Sequence, residues 1–283
     1  MLDQSYNNAQ AKSQLSGFPR SDLFTALFML GCTNGFAGRV IRSIDENGLV
    51  NAIVDTFGIS VVAFIACFVG ISFILDNARD EIRSADIAIS AVVLSMIILP
   101  VGAMSWLAVT ILSLYILLCT EANESRRRGA IILLATTAPM LWSRLLFYLF
   151  GNLILKIDAS LVGLMLGTDR SGTLVEFADQ SGSLAILPGC SSLANVSLAM
   201  LWWVTISQAV RHRSCHHDIL WLLFACASVV AVNVTRISFM GLSTLYYEIF
   251  HSPLAASLAN ILTLTLTVLI CVLGVRREVF SRA

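Results

Sequence analysis

The chain has 283 residues, 57% of them hydrophobic and only 13% charged, with no net charge and a mean hydropathy of +0.81. A soluble domain is about half apolar and roughly a quarter charged, so this composition excludes an ordinary soluble domain, and the zero net charge gives no sign of a nucleic-acid partner. The class it indicates is all-α: a polytopic transmembrane helical bundle of about eight spans, each near 20 residues.

In chain order, residues 1–22 read as a cytoplasmic N-terminal tail; the first apolar run is modest and no clean small-residue cleavage site follows it, so it reads as a retained span. The predicted spans are Leu23–Gly38, Leu49–Leu75, Ser84–Leu99, Val101–Cys119, Gly129–Phe150, Ser191–Ala209, Asp218–Arg236 and Pro253–Val275. Pro100 and Gly102 split the third from the fourth as a tight hairpin; unbroken, the run would exceed a hydrocarbon core of about 30 Å.

With both termini in the cytoplasm, Lys12, Arg20, Arg79, Arg83, Arg126 to Arg128, Arg211, Arg213, Arg276, Arg277 and Arg282 fall inside, twelve of the eighteen basic residues. Arg39, Arg42, Lys156 and Arg170 fall outside, and this asymmetry sets the orientation. The longest non-spanning stretch, Gly151 to Gly189, then lies outside. Within it "GSLAILP" reads as an extended strand or a membrane-dipping segment. No internal repeat or linker divides the chain, so residues 1–283 read as a single integral membrane domain.

Seven cysteines show no CxxC spacing and no disulfide framework. Those within apolar runs (Cys32, Cys67, Cys119, Cys226, Cys271) read as small core residues. Cys190 differs. It follows Pro188-Gly189 and precedes Ser191-Ser192, a helix-start pattern that would expose its thiol to the positive end of a helix dipole. Alone, a small residue at a helix entrance is the simpler reading.

Two more polar groups stand at span ends. Arg236, in "AVNVTRISFM", shares a helical face with Asn233 three residues earlier, and the two form an economical inward-facing pair. His251 stands just before Pro253, which can open the last span. Taken singly, they read as a snorkelling arginine and an interfacial histidine. Together with Cys190 they converge at one membrane face: a nucleophile, a base and a cation to stabilise a thiolate or oxyanion. Arg144, inside the fifth span, reads as a residue near the active face, a lipid-phosphate ligand or half of a structural ion pair with an acid such as Glu176; Asp55 reads as another such partner or as a residue at the outer interface. The loop "RHRSCHHD" holds Cys215 with His212, His216 and His217. Its arginines make it a solvated basic loop rather than a metal site, and no cofactor is expected.

The pieces "GCSSLANVSLAML", "NVTRISF" and "FHSP", in that order at the ends of the last three spans, resemble the exosortase/archaeosortase family of membrane transpeptidases. The upstream "LVEFADQSGSLAILPGC" is similar to the lead into that family's cysteine. The resemblance covers roughly Ala130 to Val275 (catalytic region 129–275). It implies Cys190 as nucleophile, Arg236 as stabiliser of the thiolate or transition state, and His251 as general base; beside them, the residue reading above takes Asn233, Ser191, Arg144 and Glu176 as supporting. Ser192 stands where the family usually has glycine, and Ala194-Asn195 replaces a common Arg-Ser. The implied partners are membrane lipids and exported proteins with a C-terminal tripartite sorting signal (motif, transmembrane helix, basic tail). Such proteins would be cleaved at the extracytoplasmic face of the cell inner membrane and passed to an envelope acceptor. The rival readings are a small-molecule transporter and a non-catalytic component of polysaccharide export.

Overall fold

The first helix starts where Pro19 ends an extended backbone, and it carries Asp22 in its first turn, where a carboxylate favours the helix dipole. The structure, a computed structural model, describes residues 19–75, 80–118, 123–212 and 215–276. Most of the expected N-terminal tail, and Lys12, Arg79, Cys119, Arg213, Arg277 and Arg282, lie outside the described residues. The chain divides into two compact units, with the boundary after Thr137.

The first unit contains α1 (Arg20–Val54), α2 (Val61–Ile74), α3 (Ser84–Ile98), α4 (Gly102–Leu118) and α5 (Glu124–Thr137). Helix α1 starts inside the expected tail and runs well past the expected end of the first span. It is interrupted only at Gly48, whose φ of 75° leaves the helical region. The second predicted span is correspondingly wrong at its start. Leu49–Val54 finish α1, and the break falls at Asp55–Ser60, where Thr56, Phe57 and Gly58 all take positive φ. Hydropathy runs unbroken across that point, but three consecutive left-handed residues cannot continue a right-handed helix.

Buried polar contacts fix this unit. The Arg20 guanidinium donates to Asp86 Oδ1 at 2.7 Å and lies over the Phe24 ring, and Tyr115 Oη donates to the same carboxylate oxygen at 2.7 Å. Asn34 Nδ2 donates to the Ile97 carbonyl (2.7 Å) and to Ser105 Oγ (2.8 Å), tying α1 to the corner around Pro100. Two glycines are required by close approach. A methyl group on Gly35 would lie 2.7 Å from the Trp106 ring, and one on Gly129 would lie 2.6 Å from the Gly70 carbonyl oxygen. Small residues at helix crossings of this kind let apolar helices pack backbone to backbone. Cys32 and Cys67 are buried with their sulfurs 3.7 Å apart.

The second unit opens with a π-helical turn, Ala138–Trp142. Pro139 has no N–H to give to the preceding turn, and a π-turn absorbs that interruption without ending the helix. Helix α6 (Ser143–Leu166) follows and stops at Gly167, left-handed with φ 69°. The expected outer loop therefore begins sixteen residues later than Gly151: Gly151 to Leu166 are helical. Lys156 and Asp158 lie on that helix rather than in a loop.

Beyond α6 the chain forms a three-stranded antiparallel sheet in the order β1 (Arg170–Ser171), β2 (Leu174–Glu176), β3 (Ser183–Ala185). Gly172, with φ 65°, makes the first turn. In the second connection Asp179 accepts from Ser181, which holds its carboxyl below its ordinary value. Of the two readings of "GSLAILP", the extended strand is the one found. Alternation places Val175 and Leu184 on one face. With Phe177 and Ile186 they are buried against Ala159 and Val162 of α6 and against three residues near the end of a later helix, Val234, Ile237 and Met240. Each fully buried side chain of this size contributes about 1.5–3 kcal/mol.

The remaining helices are α7 (Leu193–Ala209), α8 (His217–Met240), α9 (Thr244–His251) and α10 (Pro253–Gly274). Helix α8 runs four residues past Arg236, the expected end of its span. Ser243 and Ser252 accept the backbone N–H groups of Tyr246 and Ala255, capping α9 and α10.

Five of the described helical stretches are long and apolar enough to cross a membrane: Arg20–Val54, Glu124–Leu166, Pro188–Ala209, His217–Met240 and Leu254–Gly274. Three shorter apolar helices accompany them. Large apolar side chains stand exposed along these helices, among them Tyr148, Leu149, Leu164, Leu220, Phe224 and Leu258. Apolar exposure on that scale is a liability in water and ordinary in lipid, so the predominantly helical fold supports the membrane-protein class.

Candidate functional site around Cys190

Pro188, Gly189 and Cys190 form one 3₁₀ turn, closed by the Cys190 N–H on the Leu187 carbonyl at 2.8 Å. Helix α7 begins only at Leu193, with Ser192 as its cap residue. The thiol therefore stands three residues ahead of the helix, two residues further from its start than the expected span Ser191–Ala209 put it. Cys190 is half-buried and packs on the apolar cluster between the sheet, α6 and α8.

Both sides of this turn are held by long-range hydrogen bonds. Asn233 Nδ2, from α8, donates to the Cys190 carbonyl at 2.8 Å and to Ser192 Oγ at 3.0 Å. Asp158, from α6, accepts from Ser192 Oγ at 2.9 Å (Oδ1) and from the Ser192 N–H at 3.2 Å (Oδ2). Asp158 is only 4% exposed. A buried carboxylate is costly unless its oxygens are satisfied, and here each oxygen receives one donor. The turn carrying the thiol is thus clamped by an amide on one helix and a carboxylate on another. Ser191 is buried beside it, and its Oγ accepts the Leu193 N–H at 3.3 Å.

Asn233 does not pair with Arg236; its amide is committed to the cysteine turn. Arg236 lies three residues further along the same helix, half-buried, and its Nε has no hydrogen-bond partner. His251 ends α9, exposed, with its ring stacked on Tyr247 at 5.0 Å and 11° between planes. Tyr247 and Phe250 pack on the same apolar cluster as Cys190. Among the described residues no hydrogen bond links the Cys190 thiol, the Arg236 guanidinium and the His251 ring to one another.

The other supporting residues lie elsewhere. Arg144 is exposed in the first turn of α6 and Glu176 is exposed on β2, beyond the last turn of that helix. A 24-residue helix is about 36 Å long, so Arg144 and Glu176 stand at opposite ends of it and do not pair. The same length puts Arg144 about 21 Å along the axis from Asp158, since each residue rises about 1.5 Å. Asp55 closes α1 in the other unit, where its N–H bonds the Asn51 carbonyl.

Sequence reasoning missed the role of Asp158. The signal was present: in "ILKIDASLV" a helical period puts Asp158 beside Leu155, Ala159 and Val162, the face that packs inward. Candidate metal ligands are remote from Cys190, past the far end of the 17-residue α7. There His212, Cys215 and Asp218 bring one donor atom each to within 4.8 Å of one another.

Comparison with protein-family models, with curated proteins and with solved structures found no match.

Proposed function

We propose that this chain is a membrane-embedded cysteine endopeptidase and transpeptidase acting on the C-terminal sorting signals of exported proteins. The observation that carries the proposal is the clamp on the cysteine turn. Asn233 grips the Cys190 carbonyl from one turn below Arg236 on the same helix, while Tyr247, the platform under His251, packs on the cluster that Cys190 also borders. A nucleophile held on a rigid turn, a guanidinium with an uncommitted Nε and an exposed imidazole are the parts that acyl transfer requires. The gap between them is where a substrate carbonyl would sit, since catalytic hydrogen bonds often tighten only around substrate.

In this reading His251 takes the Cys190 proton as sulfur attacks the scissile carbonyl carbon. Arg236 faces the oxyanion that forms. Collapse breaks the C–N bond, His251 returns the proton to the leaving amine, and a thioester remains on Cys190. An acceptor amine, or water, then attacks the thioester, gives its proton to His251 and regenerates the thiol. The substrate class is a protein with a short motif, a transmembrane helix and a basic cytoplasmic tail, docking laterally among the helices. The proposal includes eight spans in the inner membrane with both termini cytoplasmic, which puts the site on the extracytoplasmic face.

The test is co-expression with a protein carrying such a tail, followed by mass spectrometry of its C-terminus. Wild type yields a shortened or conjugated C-terminus, and Cys190→Ala at equal abundance yields the intact one. Processing that persists in the alanine variant would overturn the proposal.

A further inference from the structure

The turn between α7 and α8 reads from sequence as a solvated basic loop, and Arg211, Cys215, His216 and His217 are indeed exposed, but the His212 and Asp218 side chains are turned inward. Asp218 Oδ1 lies 2.8 Å from His212 Nε2 and accepts the Cys215 thiol at 3.3 Å, while Oδ2 accepts the Cys215 N–H at 2.9 Å. The His212 side chain is 7% exposed and that of Asp218 15%. The His212 ring is set by its backbone N–H on the Ser207 carbonyl (2.9 Å) and by edge-on contact with the buried Trp203 ring at 6.4 Å. The geometry points to a transition-metal site here, Zn²⁺ by donor type, formed by His212 Nε2, Cys215 Sγ and Asp218 Oδ1 and joining the end of α7 to the start of α8.

The argument is one of distances and donor chemistry. The three donor atoms form a triangle with edges of 2.8 Å, 3.3 Å and at most 4.8 Å. Around a tetrahedral zinc with Zn–N and Zn–O near 2.0–2.2 Å and Zn–S near 2.3 Å, such edges are about 3.3–3.8 Å. The short edge must open by roughly half an ångström and the long one close by about one, which side-chain torsions supply without moving either helix. The carboxylate now binds its two neighbours through hydrogens, and a metal would replace those hydrogens with one centre. Binding at Sγ displaces the Cys215 thiol proton, and binding at Nε2 leaves the His212 ring N–H on Nδ1, so uptake weakens as pH falls. One nitrogen, one sulfur and one oxygen suit a borderline-soft ion and disfavour Ca²⁺ or Mg²⁺. The fourth position falls to water.

The same contacts also describe a capping arrangement at the start of α8, so the experiment must separate the two. The full-length chain, purified in detergent and stripped of metal, is titrated with Co²⁺ and then with Zn²⁺ against a chromophoric chelator. The expected result is one equivalent per chain, with a thiolate-to-cobalt charge-transfer band and tetrahedral d–d absorption. Cys215→Ser should abolish the sulfur band. His212→Asn and Asp218→Asn should each weaken Zn²⁺ by more than the roughly 10–100-fold seen for loss of a supporting group. Cys190→Ser, far from this turn, should leave binding unchanged. Equal Zn²⁺ affinity in wild type and Cys215→Ser, no sulfur band in wild type, or a band that disappears with Cys190 rather than Cys215 would each reduce the cluster to a helix cap. Should the turn variants fail to fold, Zn²⁺ protection of Cys215 from alkylation in wild type, read by peptide mapping, decides the question alone.

Discussion

The clamp on the cysteine turn makes a quantitative prediction for Asp158→Asn. The change is isosteric but halves the acceptor capacity facing Ser192. The carboxylate receives both the Ser192 hydroxyl and the Ser192 N–H. An asparagine carbonyl can keep one of them, and its NH₂ then opposes either the other donor or an Oγ that already accepts from Asn233. A hydrogen bond to a charged group is worth about 1.5–3 kcal/mol, so the loss of one should destabilise this joint by that amount. Ser192→Ala removes the hydroxyl from both Asp158 and Asn233 but keeps the backbone N–H, which the introduced amide carbonyl could still accept in the double variant. The second substitution should therefore cost less than the first, with a coupling of about 0.5–3 kcal/mol. Two readouts follow: unfolding of the four chains in detergent by tryptophan fluorescence, and the rate of Cys190 alkylation by a small maleimide, resolved from other thiols by peptide mapping. If the joint opens more easily by about 1.4 kcal/mol, Cys190 should alkylate roughly tenfold faster. Additive effects, or a Cys190 rate unchanged in Asp158→Asn, would refute the idea that this carboxylate holds the turn.

Two further outcomes are expected. Arg236→Lys should preserve folding while lowering the processing rate of a tripartite-tail substrate by about 10²–10³-fold, the scale of losing an oxyanion donor, because an ammonium lacks the planar fork of donors; an unchanged rate in time-course mass spectrometry would remove Arg236 from the site. Gly129→Ala puts a methyl group 2.6 Å from the Gly70 carbonyl oxygen, a backbone clash that should cost about 1–3 kcal/mol, visible as a lowered thermal midpoint in detergent.

Much of the helical frame was legible because it rests on properties local to the chain. Apolar run length located α3, α4, α7 and α10 to within a few residues, and Pro100 marked the α3–α4 corner. Of the two readings open for "GSLAILP", the strand is found, and its Leu184 faces the core. The errors came where hydropathy and backbone conformation part company. Asp55 to Ser60 are not polar enough to end an apolar run, yet consecutive positive φ values end the helix there. Conversely, Asn152, Lys156 and Asp158 dilute the apolar signal without disturbing helical geometry, so α6 continues where a loop was expected.

The site shows the same division between local and distant information. Spacing says correctly that Asn233 and Arg236 share a face of α8, but i,i+3 proximity cannot say what that face meets. What it meets is the cysteine turn, 43 residues upstream of Asn233 at Cys190 and 41 at Ser192. An asparagine in an apolar helix must find a partner, and the nearest candidate in sequence lost to two acceptors brought close by the fold. Asp158 follows the same logic from α6: an acid that looks solvent-facing in a polar stretch becomes, once the helix extends through it, a buried carboxylate needing two donors. Ser192 supplies both, through its hydroxyl and its N–H, which a glycine at that position could not do. Ser192 is therefore tied to Asp158 through both of its donors. In this chain the serine and the aspartate form one unit, and the turn that presents Cys190 is held by that unit on one side and by Asn233 on the other.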